Sequence, residues 1–233
     1  MRFMAAMAMA ATAGAAGAGS YEARDPDYLC ALRAGAATHV AVADGVGPAA
    51  KGVLPGAGLA GLLFPGSAQA RAAGAATGGD VRPARFEAEG VFGRTRQRVA
   101  MRYGGDEGLA LEADPPLRAR SYDVQLAAMA DALDPLSAAV AALVPQPAAG
   151  ACDRVIAVFD TRRRFDLRLG PAVQTEDGLR CEGVFRRVAG YKARHMRQPD
   201  HPFTVWWRAS GGLATLERAT APTPFGHAVA RRL

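Results

Sequence analysis

The feature that most constrains this chain is the succession of strand signals after Pro147. Residues 155–159 are a continuous β-branched and aromatic run, Asp160-Thr161-Arg162-Arg163 is a polar turn, and Phe165, Leu167 and Leu169 then alternate with Arg164, Asp166 and Arg168. That pattern is a hairpin. Residues 179–188, 203–208, 213–218 and 227–231 read as further strands, separated by Gly178, residues 199–202, Gly211-Gly212 and residues 222–226. Earlier, over residues 92–103, Val99, Met101 and Tyr103 share one face and Arg94, Arg96, Arg98 and Arg102 share the other, before Asp114-Pro115-Pro116 stops the sheet. Four arginines in a row suit either phosphate groups or the wet face of a half-buried sheet.

One segment breaks the β pattern. Asp134 is placed to cap a helix, Pro135 suits its first position, and Leu136, Val140, Leu143 and Val144 make one apolar stripe before Pro145 ends it. Residues 124–133 add an Ala-rich turn or two. The expected fold class is therefore mainly β: a curved antiparallel sheet or half-barrel with one short packed helix.

The remaining third, residues 21–79, is dominated by Ala and Gly. Only residues 38–43 look like a strand, bounded by Asp44-Gly45. Leu59, Leu62, Leu63 and Phe64 form its one concentrated apolar cluster, read either as core or as an apolar segment at the mouth of a cavity. Alanine supplies much of the 50% hydrophobic fraction, and Ile156 is the sole isoleucine. A core so poor in large aliphatics benefits from a covalent tie.

Cys152 and Cys181 flank a strand-turn-strand pattern, and no Cys-x-x-Cys or Cys/His spacing of a zinc or redox site occurs. The two are expected to pair. Closing a loop of about 30 residues stabilises a fold by roughly 3–4 kcal/mol in the chain-entropy model. Cys30 is left over as a free or intermolecular thiol. A disulfide fits export, and so does the N-terminus: Arg2 precedes an uncharged, small-residue stretch, and Ala16-Gly17-Ala18 offers the small-x-small pattern of a signal-peptidase site. Residues 1–18 are read as a signal peptide and residues 19–233 as a single β-rich domain, periplasmic and not membrane-spanning, since no later stretch reaches the roughly 18–20 apolar residues a span needs.

With this organisation in place, Asp134-Pro135-Leu136-Ser137-Ala138, Val158-Phe159-Asp160-Thr161-Arg162-Arg163-Arg164-Phe165-Asp166-Leu167, the run from Cys181-Glu182-Gly183 to Ala189-Gly190-Tyr191, and Thr223-Pro224-Phe225-Gly226 resemble, in order and spacing, the exported bacterial proteins grouped as domain of unknown function 3108. The resemblance covers residues 134–233 well and residues 83–103 loosely. It implies a periplasmic, β-rich carrier or envelope-associated domain with no assigned catalytic residues, similar in outline to lipoprotein-carrier half-barrels. One departure stands out: the family places Gly after the turn aspartate, where this chain has Thr161. A β-branched residue resists φ > 0, so the hairpin must use a different turn or accept strain.

A search for chemistry returns little. Ser20, Ser67, Ser121, Ser137 and Ser210 lie in no Gly-x-Ser-x-Gly elbow, and no phosphate loop or dinucleotide fingerprint appears. His195 and His201, even with Asp200 or Glu182, match no metal-ligand pattern, and Glu87 with Glu89, or Glu176 with Asp177, read as surface carboxylates. No catalytic residue, metal or cofactor is assigned. The net charge of +6 invites a nucleic-acid reading, but an exported protein rarely meets one, so none is expected as a partner. Arg162, Arg163, Arg164, Arg186 and Arg187 are candidate contacts for an anionic group, against the alternative of solubility charge. Phe203, Val205 and Trp207 face one way and Thr204, Trp206 and Arg208 the other. Phe165, Phe185 and Trp207, with Leu59, Leu62, Leu63 and Phe64, are the candidate ligand-binding residues. The expected function is non-enzymatic binding of a hydrophobic or lipid-like ligand within the curved sheet; the alternative is an envelope structural or protein-interaction module with a packed core and no ligand.

Overall fold

The structure is a computed structural model, and it describes residues 19–25, 38–40, 50–52, 68–92, 95–104, 108–223 and 226–231. In chain order the strands β1 (Gly19–Asp25), β2 (Thr38–Val40), β3 (Ala50–Gly52), β4 (Ala68–Thr77), β5 (Asp80–Phe92), β6 (Thr95–Tyr103) and β7 (Leu109–Asp114) precede the helix α1 (Pro135–Leu143). After it come β8 (Gln146–Pro147), β9 (Arg154–Phe159), β10 (Arg164–Leu169), β11 (Val173–Thr175) and β12 (Gly178–Ala189), the short helix α2 (Ala193–Met196), then β13 (Asp200–Ser210), β14 (Leu213–Thr223) and β15 (Gly226–Arg231).

Two antiparallel sheets dominate. The first has the order β1-β4-β5-β6-β7; the second, β15-β14-β13-β12-β10-β9, curls into a half-barrel, with β11 and β8 pairing on β12 and β14. The fold class expected from periodicity is thus the one observed. The hairpin of residues 155–169 is present as β9 and β10, with Leu167 opposite Ile156 and Leu169 opposite Arg154. Pro202, expected between strands, lies inside β13. There it pairs only with β12, because the β13–β14 ladder begins at Thr204, so its missing N–H interrupts nothing on the β14 side.

The Ala-rich third holds more structure than its sequence suggests. Where only residues 38–43 looked like a strand, β1 and β4 pair over seven residues, and β4 continues onto β5. Ala70, Ala72 and Ala76 are buried while Arg71, Ala75 and Thr77 are exposed; the inward set is too small to register as a hydrophobic period. Phe92 also belongs to the end of β5 rather than to the arginine-bearing strand, which begins at Thr95.

The helix α1 lies between the sheets. Leu136, Val140, Ala141 and Val144 pack with Phe86, Met101 and Leu109 of the first sheet, while Ala138 packs on Ile156 and Val158 of the half-barrel. Small residues on β4 let the helix come close, and Phe86 and Met101 fill the space beside them. Asp134 caps the helix as expected, its Oδ1 accepting from the N–H groups of Leu136 and Ser137 at 3.0 and 2.9 Å, and its Oδ2 accepts from the Ser137 hydroxyl. Both residues are fully buried. Cys152 and Cys181 form a disulfide, Cα atoms 5.9 Å apart, which ties the chain entering β9 to the first half of β12, just past the end of the β10 ladder at Gly183.

Candidate functional site

Alternation along the half-barrel strands decides what its concave face presents. On β13, Val205 and Trp207 are buried with Phe203 beside them, and Trp206 turns outward beneath the Arg218 guanidinium, 3.8 Å from its ring centroid. On β10 and β9, Leu167, Leu169 and Ile156 face inward with Arg154 in the same phase. Together with Phe185, Leu216 and Ala219 these residues line a cavity of about 490 Å³ whose walls are almost entirely apolar. That volume lies within the range of small-molecule and lipid sites, about 300–1,000 Å³.

The cavity exists because its walls are not filled from within. Gly183 lies directly opposite Phe203, and a Cβ at Gly183 would stand 2.4 Å from the Phe203 ring. The missing side chain lets the phenyl ring fold down onto β12 rather than across the opening. Phe165 stacks on Phe185 with ring centroids 4.7 Å apart, and Phe185 tilts against His201 at 6.0 Å.

Of the aromatic residues named from sequence, Phe185 and Trp207 line this cavity and Phe165 supports it through Phe185. Leu59, Leu62, Leu63 and Phe64 lie outside the described residues, as do Cys30, Arg94 and residues 1–18. Sequence reasoning missed Arg154, Leu169, His201 and Leu216. The signal for two of them is present: Arg154 is in phase with Ile156, just before the strand expected from residue 155, and His201 is in phase with Phe203, Val205 and Trp207, within the segment read as a connection.

Polar atoms inside the cavity wall are few and poorly matched. Arg154 Nη2 donates to the Ala141 carbonyl, near the end of α1, at 3.2 Å, and its Nε is buried with no partner among the described residues. Burial pushes the Arg154 guanidinium below its ordinary pKa. His201 Nε2 and Trp207 Nε1 are likewise buried without a hydrogen-bond partner among the described residues.

Four of the five candidate anion contacts on the outside are, by contrast, held by acceptors within the protein. Arg162 Nη1 donates to Asp123 Oδ1 at 3.0 Å and to the Arg118 carbonyl at 2.9 Å. Arg164 forks onto Asp131 at 2.7 and 2.8 Å, and that hydrogen bond holds the Asp131 carboxyl below its usual range. Arg186 reaches Asp200 at 3.1 Å, and Arg187 Nη1 donates to the carbonyls of His195 and Gln198, each at 2.9 Å. Arg163 and Arg187 both lie 5.6 Å from the Tyr191 ring, whose hydroxyl pKa is pushed up to about 12 by burial. The row on β6 is solvated in the same way, Arg96 and Arg98 meeting Glu89 and Glu87 of β5 and Arg102 meeting Glu112 of β7. Arg163 also borders an open recess with Arg118, Arg120, Lys192 and Arg194. Among the described residues no group of three His, Cys, Asp or Glu is arranged to hold a metal ion, and no helix is long and apolar enough to cross a membrane.

Residues 27–231 match the model of a family described as Protein of unknown function (DUF3108). No curated protein and no solved structure matches the chain.

Proposed function

The chain belongs to the DUF3108 family, and from that premise we propose that it is a periplasmic, non-enzymatic binding protein that encloses an apolar, lipid-like molecule against the concave face of its half-barrel. The observation that carries this reading is the cavity of about 490 Å³ between Ile156, Leu169, Phe185 and Trp207. This space opens to solvent on one side, and its almost wholly apolar surface is left exposed to water rather than covered by the protein's own side chains. Keeping it open is consistent with an occupant. The lining contains no Ser, Cys, Asp or Glu, and the Nε2 of its one imidazole, His201, makes no hydrogen bond to the Thr220 hydroxyl, so the wall offers hydrophobic contact rather than an assembled nucleophile and base. The Cys152–Cys181 disulfide favours an oxidising compartment outside the cytoplasm.

The test is to purify the disulfide-bonded protein from a native envelope fraction, extract it with organic solvent and identify co-purified molecules by mass spectrometry. In parallel, the stripped protein is titrated with neutral N-phenyl-1-naphthylamine, a fluorescent apolar probe. A lipid-like molecule in the extract and saturable probe binding are expected, with binding abolished in Ala219→Trp, which fills the cavity from β14 without touching the disulfide. An empty extract together with no probe binding overturns the reading and leaves a packed interaction module in its place.

A further inference from the structure

Many arginines on this molecule are paired with a carboxylate. In the half-barrel Arg164, Arg168, Arg180, Arg186 and Arg208 each face a carboxylate, and Arg162 reaches Asp123. Arg154 is the exception within the cavity wall. It is partly buried, has no carboxylate partner among the described residues, and spends one of its five N–H donors on the Ala141 carbonyl. A desolvated cation without a counter-charge is costly, and a fold keeps one at an apolar wall when something brings the charge to it. Trp207 adds an independent observation: the residue is 3% exposed, lines the same cavity, and its indole N–H has no acceptor among the described residues.

Resting on the ligand-binding reading above, we infer that the cavity takes an anionic amphiphile. Its alkyl chain lies among Ile156, Leu167, Leu169 and Phe185, and a carboxylate or phosphate head is held by the Arg154 guanidinium. Arginine suits this role because its planar fork meets either head in bidentate fashion while its stem remains among apolar neighbours. Arg162, Arg164 and Arg186 do not compete, since Asp123, Asp131 and Asp200 neutralise them, and the basic recess of Arg118, Arg120, Arg163, Lys192 and Arg194 lacks the aliphatic wall that an alkyl chain needs.

The experiment measures displacement of N-phenyl-1-naphthylamine, below the critical micelle concentration, by hexadecanoate, hexadecyl phosphate and methyl hexadecanoate. The three share a chain and differ in head. At least one of the two anions is expected to bind wild type about tenfold or more tightly than the ester, the scale of one charge-assisted hydrogen bond to a buried group. Whichever anion shows the gain identifies the head. In Arg154→Gln that preference disappears, the anions binding no more tightly than the ester, whereas a merely structural Arg154, holding the end of α1, would weaken all three alike and leave their ratio intact. An ester that binds wild type as tightly as both anions overturns this inference and leaves the cavity reading standing. If none of the three displaces the probe and the probe itself does not bind, the cavity reading falls and this one with it. Should the glutamine variant fail to fold, the comparison of heads on wild type still decides.

Discussion

Thr161 sits in the hairpin turn at φ = +77°, a left-handed conformation that a β-branched side chain adopts only under strain. The turn holds it there with the Asp160 carboxylate, whose Oδ1 accepts from the N–H groups of Arg162 and Arg163 at 3.0 and 2.7 Å, and with the Asp160 N–H, which donates to the Arg163 carbonyl. Of the two outcomes open at this turn, the molecule therefore accepts strain rather than a different turn. Gly190, at φ = +82°, approaches the same turn so closely that a Cβ would lie 2.2 Å from the Arg162 carbonyl oxygen, which fixes glycine in the stretch before Tyr191. Releasing Thr161 is expected to stabilise the fold: Thr161→Gly gains about 1 kcal/mol, the left-handed penalty less the added freedom of the unfolded chain. The shift is read as a higher urea midpoint at unchanged slope, and a midpoint at or below that of wild type would show the turn to be unstrained.

Among the elements, α1 depends most on one buried charge. Asp134 accepts two backbone N–H bonds at the helix start, yet burial outweighs them and raises its carboxyl pKa to about 6 from the ordinary 3.8. The native state thus binds this proton more tightly than the unfolded chain does. Stability from this group is present below pH 3.8, is lost as pH rises through about 6, and leaves the ionised cap a net burden at pH 7. Asp134→Asn retains an oxygen for the same two N–H groups without the charge. The difference in unfolding free energy, wild type minus Asn variant, is expected to move by roughly 2–3 kcal/mol in favour of wild type between pH 7 and pH 4. Chemical denaturation at a series of pH values measures it, and a difference independent of pH would show that Asp134 titrates as in the unfolded chain. The cap itself was readable from the Asp-Pro pair, because capping is a matter of a few successive residues. Its burial was not, because the first sheet and the half-barrel that enclose Asp134 and Ser137 come from both sides of the helix in sequence.

For the whole molecule the Cys152–Cys181 bond is the strongest local tie, spanning 29 residues of sequence and joining the wall of the half-barrel at Ala151, Leu179 and Val205. Replacing both cysteines with serine is expected to lower stability by roughly 3–4 kcal/mol. Urea unfolding of the double variant against oxidised wild type checks this, and a loss below about 1 kcal/mol would mean that the unfolded chain is already compact around residues 152–181. This pairing, the hairpin of β9 and β10, the cap of α1 and the outward turn of Trp206 were all legible in the sequence. Each depends on period-2 alternation, turn chemistry or a spacing of a few residues, and such signals survive without knowledge of what packs against them. The strands β1 and β4 were not legible, because alanine barely distinguishes an inward from an outward position and only α1 and Phe86 make the difference physical. Nor was the cavity. Whether inward residues of a bent sheet meet or stand apart depends on curvature and on single gaps such as Gly183 beneath Phe203, and whether Arg154 meets a carboxylate depends on which ones the other strands bring near it. Alternation, capping and cysteine spacing thus specified a curved, stapled β-layer with one helix. Packing between elements distant in sequence alone decided that this layer leaves an apolar hollow on its concave face, and that Arg154 in its wall has no carboxylate partner among the described residues.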